Sequence, residues 1–203
     1  MHYDFHLVDE PRRKRRLTSS QKSRRYLATV VINRTTGAGP TKTPITATNT
    51  RCNAADSPYT VEVTNPIAIP GSGSNYSYWC STRLDCTVAP VTALSNIRWY
   101  SDGSDSFGTD VTCVGNTATG YVQATGTPGT TGTVLSTGNY ATLAGAPTNV
   151  FAMTAGSPLS ITGSIGVATG DFGDFFVFQI VVGTTASPGA TPQETFTWII
   201  DES

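Results

Sequence analysis

Histidine is missing from almost the whole chain: the only two, His2 and His6, lie near its start. Residues 26–203 therefore offer no base for a Ser-His-Asp triad or a Cys–His pair. Charged residues are scarce too, at 13%. No window sustains a 3.6-residue apolar spacing with caps, which argues against helices. No apolar run approaches the length of a membrane span. Acidic residues interrupt the first ten positions and an Arg/Lys cluster follows, so the start does not read as a secretory h-region. The expectation is a protein made in, and assembled from, the cytoplasm, with no membrane partner. The four cysteines, Cys52, Cys80, Cys86 and Cys113, show no CxxC spacing. That pattern does not suit zinc. They read as buried free thiols. A Cys80–Cys86 bridge across a tight hairpin, formed after release to an oxidising exterior, is the alternative. No cofactor or metal signature accompanies them.

Thr, Ser, Gly and Ala are abundant instead, and such short side chains suit strand faces and turns. The stretch around which the rest is organised is residues 170–200. Gly170-Asp-Phe-Gly-Asp174 opens it, and Phe175-Phe-Val-Phe-Gln-Ile-Val-Val182 follows. Eight aromatic, β-branched and polar residues bounded by glycine predict a strand buried on both faces. Glu194-Thr-Phe-Thr-Trp-Ile-Ile200 alternates and predicts a strand with one face in the core. The Pro/Gly/Ser/Thr segment between them reads as a loop, so the two strands are expected to return on each other. Phe176, Phe178, Ile180, Phe196, Trp198 and Ile200 are the candidate core.

Further strands are expected over Tyr26–Asn33, Tyr59–Val63, Tyr76–Ser81, Leu84–Val88, Asn96–Tyr100, Val111–Val114, Gly120–Ala124, Val150–Met153 and Leu159–Thr162. Asp102-Gly103 marks a turn. Residues 35–57 read as extended loop with room for an edge strand, and residues 126–138 as an exposed loop or rim ribbon. About ten short strands separated by turn signals predict an all-β antiparallel sandwich, jelly-roll-like.

Charge divides the chain. Arg12, Arg13, Lys14, Arg15, Arg16, Lys22, Arg24 and Arg25 face only three acidic residues within positions 1–25, leaving this arm at +5. Five basic against eleven acidic residues leave the body, 26–203, at −6. An arm and a body with different jobs follow from such a split. The eight basic residues are the candidate partner-binding set. Docking on an acidic protein surface, including the body of an adjacent copy, comes first; contact with encapsidated nucleic acid comes second, because stacking aromatics are not interleaved. The bland reading is a solvated basic tail.

Other constellations are weaker. Glu62, Glu194 and Glu202 have no spacing that speaks for a glycosidase pair. Asp102, Asp105 and Asp110, and Asp171 with Asp174, lie in turns, where Asp bonds local backbone more often than calcium. Trp79, Trp99 and Trp198 are candidates for a sugar-stacking platform but sit in strand patterns that favour the core. Phe107, beside Gly108, is the aromatic expected to be exposed.

Four runs carry a resemblance: Asn96-Ile-Arg-Trp-Tyr-Ser-Asp-Gly103, Thr117-Ala-Thr-Gly-Tyr-Val-Gln-Ala-Thr-Gly126, Gly170–Asp174 leading to Thr185-Ala-Ser-Pro-Gly189, and Gln193-Glu-Thr-Phe-Thr-Trp-Ile-Ile-Asp-Glu202. Over roughly residues 60–203 the chain resembles virion structural proteins of tailed phages and related prokaryotic viruses. The resemblance implies an all-β, non-enzymatic component present in many copies on a particle, with other virion proteins and copies of itself as partners. It carries no catalytic residues and does not extend to the arm. Within that class the expected role is a capsid decoration or minor capsid protein anchored by its arm. A tail or baseplate component and a carbohydrate-binding sandwich are the alternatives.

Overall fold

The computed structural model describes residues 27–45, 50–58 and 64–203. Among these residues twelve strands run β1 (Thr29–Thr36), β2 (Thr41–Pro44), β3 (Asn75–Tyr76), β4 (Cys80–Val88), β5 (Leu94–Ser101), β6 (Val111–Ala118), β7 (Gly126–Thr127), β8 (Thr131–Gly132), β9 (Thr148–Asn149), β10 (Leu159–Ile161), β11 (Gly170–Val182) and β12 (Phe196–Glu202). The main sheet has the order β2-β1-β4-β11-β6-β9, with β3 also paired to β11. A smaller sheet, β10-β5-β12, packs across it, and β7-β8 forms a separate hairpin. All pairings are antiparallel. The chain is an all-β sandwich.

β11 is the centre, as its aromatic run predicts, and its two faces differ. Phe176, Phe178, Ile180 and Val182 point between the sheets and join Ile32, Leu84, Trp99, Phe196 and Trp198 in one core. The Trp99 ring stacks on Phe176 at 3.8 Å, and Phe178 meets Phe196 edge-on at 5.4 Å. Phe175 and Val177 point to the opposite face, into a second cluster with Trp79, Leu135, Tyr140 and Leu143. Residues 119–147 cover that face.

Several elements differ from expectation. β11 and β12 do not return on each other: β12 pairs with β5, Trp198 opposite Trp99, and meets β11 only across the core. The Pro-containing crossing of residues 183–195 joins two sheets. Gly170–Asp174 does not end the strand but lies within it as a bulge, since Phe172 opposes Leu84 and Phe176 opposes Thr82. Gly173 makes the bulge possible: its φ is +70°, and a Cβ there would press on Ile97 at 2.6 Å. The strand expected over Tyr76–Ser81 is split: Tyr76 ends β3, residues 77–79 are in no strand, and Cys80 and Ser81 join the expected Leu84–Val88 in one β4. Thr82 and Leu84 face inward, while Arg83 takes the outer face, where its Nε donates to the Gly173 carbonyl. Its charge therefore interrupts nothing. Val150–Ala152 is a 3-10 turn, not a strand, because the Asn149 side chain accepts from the Phe151 N–H and caps it. Gly120–Ala124 is not a strand but part of the outer cover, in which Trp79 Nε1 donates to the Val122 carbonyl at 3.0 Å. Residues 126–138 contain the β7-β8 ribbon; at Gly132 a Cβ would overlap the Ser77 carbonyl. The edge strand within 35–57 is β2. Tyr59–Val63 lies outside the described residues.

Of the candidate core, Phe176, Phe178, Ile180, Phe196 and Trp198 are buried, and Ile200 is half-buried against them.

Candidate functional site

The eight basic arm residues, Arg12 to Arg25, lie outside the described residues. The place where the arm joins the body is described. Ala28 N–H donates to Glu202 Oε2 and Val91 N–H to Glu202 Oε1, each at 3.4 Å. Val88 lies opposite Thr29, at the start of β1. Leu94 bridges to Ile165, two residues before Val167, and Ser203 N–H reaches the Ala93 carbonyl. Leu27, Val88, Val91 and Val167 thus lie on segments that meet near Glu202 at one end of the sandwich. They are 65%, 42%, 61% and 70% exposed, and they are four of the six large apolar side chains exposed among the described residues. Apolar side chains left uncovered on converging segments mark a contact surface more than scattered ones do. At the same end Asp201 accepts from Arg98 Nη2 at 3.0 Å and from Asn96 Nδ2 at 2.5 Å.

The opposite end holds a cleft of about 670 Å³. Its walls include Ile67, Ile69, Phe107, Val182, Pro188 and Glu194. Phe107 is buried there against Phe151 at 5.8 Å, not exposed, because the turn that carries it folds inward. Glu194 is buried, and its Oε1 accepts from Ser106 N–H at 2.5 Å. Burial pushes its carboxyl above the usual range, and the charges of Asp102 and Asp105 push the same way. The Asn53 amide, which also lines the cleft, is buried with no hydrogen-bond partner for either atom. The cleft can accept an apolar segment that presents one polar edge.

The remaining candidates resolve into structural roles. Glu194 and Glu202 bracket β12, roughly 26 Å apart by strand rise, so they do not face each other. Glu62 lies outside the described residues. Asp102 accepts from Ser104 N–H and Asp105 from Phe107 N–H, which is turn chemistry. Asp110 accepts from both the N–H and the hydroxyl of Thr185, and these bonds hold its carboxyl below the usual range. Asp171 pairs with Lys42 at 2.5 Å. Among the described residues no group of His, Cys, Asp and Glu is arranged to hold a metal. Trp79, Trp99 and Trp198 are all buried, so they form no sugar platform.

All four cysteines are free thiols. Cys80 and Cys86 lie on the same β4 strand, six positions apart and so separated by roughly 20 Å, which rules out the bridge between them. A different pair meets: Cys52 Sγ lies 3.3 Å from Cys80 Sγ. Their separation of 28 positions hid that contact from sequence inspection.

No family model, curated protein or solved structure matches the chain.

Proposed function

We propose that this chain is a non-enzymatic structural component of a virus particle, a capsid decoration or minor capsid protein. It attaches through its basic arm and through the end of the sandwich from which the arm departs. The observation that carries this is the exposure of Leu27, Val88, Val91 and Val167 on segments that meet near Glu202 at the root of a +5 arm. Exposed apolar area supplies affinity, while the arm's charge steers and orients on an acidic surface. A body of charge −6 is itself such a surface, so an adjacent copy suits the arm as well as a shell protein does. In this reading the body is jelly-roll-like. Leaving aside the two-residue strands, the chain from β4 onward alternates between sheets, with β4, β6 and β11 in one and β5, β10 and β12 in the other.

The test is co-sedimentation with particles. Deleting residues 1–25 should abolish attachment while leaving the melting transition of the body unchanged. Leu27→Asp with Val91→Asp, arm intact, should weaken attachment at least tenfold. Rising salt should weaken it further. Normal decoration by the truncated body would sink the proposal. Loss of attachment only on genome-free particles would give the arm a phosphate-binding role instead.

A further inference from the structure

Cys80 opens β4 on the inner face, fully buried. Cys52 crosses above it on the wall of the cleft and is partly exposed. Their sulfurs, at 3.3 Å, need to close by only about 1.2 Å to reach the disulfide length of about 2.05 Å. Neither of the other thiols competes. Cys86 is on the same strand as Cys80, and Cys113 is on β6, with β11 between it and β4.

A cation stands beside the pair. Arg34 is fully buried on β1, and its Nη1 donates to Thr50 Oγ1 at 2.9 Å and to the Arg51 carbonyl at 2.7 Å. Its Nε and Nη2 have no hydrogen-bond partner. A buried guanidinium left partly unsatisfied favours negative charge nearby. The contact between the two sulfurs, with Arg34, draws the Cys80 thiol below its ordinary value, and the same contact, with loss of hydration, holds Cys52 above its own. The more readily ionised sulfur is thus that of Cys80, while Cys52 is the less buried residue of the two.

We propose that Cys52 and Cys80 form an intramolecular disulfide when the chain meets a low-molecular-weight disulfide oxidant, stapling the segment around residue 52 onto β4. Cys52 releases its proton to solvent, and its thiolate attacks one sulfur of the oxidant. The oxidant's S–S bond breaks and one small thiolate leaves. Cys80 then gives up its proton, and its thiolate attacks the Cys52 sulfur. The second small thiolate leaves, and the internal S–S bond remains. Two protein thiols are oxidised by two electrons, and the oxidant becomes two thiols that take up the two protons.

Incubating the folded full-length chain with glutathione disulfide, against a dithiothreitol control, tests this. The expected product is monomeric and lighter by two hydrogens. Two of its four cysteines should alkylate after unfolding without reductant, and peptide mapping should join the Cys52 and Cys80 peptides. The cross-link closes a loop of about 29 residues, so the melting temperature should rise by on the order of 10 °C on oxidation. Cys86→Ser with Cys113→Ser should keep both the link and the rise, and Cys52→Ser should lose both. Four alkylatable thiols after oxidation, or a link through Cys86 or Cys113 or between chains, would overturn the proposal.

Discussion

The two faces of β11 are buried to similar depth by different means. Toward the small sheet, Phe176 and Phe178 meet Trp99 and Phe196, and shape does the work. Toward the outer cover, Gln179 is fully buried and fully engaged: its Oε1 accepts from Leu135 N–H, and its Nε2 donates to the carbonyls of Ser77 and Thr133. The Ser81 and Tyr140 hydroxyls share a buried bond at 3.1 Å. A regular sheet satisfies its own backbone, so it can be covered by apolar rings alone. An irregular cover has backbone groups left over, and buried ones must find partners. The polar side chains on the outer face supply them. A loop can therefore stand in for a third layer if the strand beneath it carries the right hydrogen-bonding groups.

Substitutions on the two faces separate these mechanisms. Phe178→Ala should cost the most, about 3–5 kcal/mol, by opening a cavity between the sheets. Denaturant unfolding measures it, and a loss below about 1 kcal/mol would mean that the inner face is not the main source of stability. Gln179→Leu keeps the volume but strands one N–H and two carbonyls, so it should cost about 2–4 kcal/mol. Its distinctive sign is local: amide exchange at Leu135 should quicken more than exchange along β5. Uniform acceleration would erase the distinction between the faces. Tyr140→Phe should be the mildest, about 1 kcal/mol, or about 2–4 °C in melting temperature, because it removes only neutral hydrogen bonding of the hydroxyl and leaves the ring packed on Trp79. A larger drop than that of Gln179→Leu would reverse the ranking of the outer contacts.

Legibility in the sequence followed the range of the interaction. The central strand could be read because its burial on both faces is written into eight consecutive residues. β5, β6 and β10 could be read from alternation. Val150–Ala152 misled because its side chains suit a strand while the deciding group, the Asn149 oxygen, lies just outside the apolar run. Phe107 misled because Gly108 signals a turn but not the direction in which that turn faces. The partner of β12 was hidden, since pairing with β5 depends on where the crossing at 183–195 lands. The candidate site was legible only as charge: the arm stood out, while the apolar residues at its root lie on four separate segments. The Cys52–Cys80 contact was hidden for the same reason.

The pairing of β12 with β5 also sets a timetable. β12 follows β5 by roughly 95 residues, so at about 5–20 residues per second the ribosome delivers it on the order of 5–20 s later. Through that interval β5 has only the three-residue β10 as a possible neighbour in its sheet, and the aromatic face of β11 lacks Phe196 and Trp198. Contacts this distant in sequence also close slowly once they are available. Residues 1–25 leave the ribosome before any of this, so in the proposed role the anchor is made while the body is still incomplete.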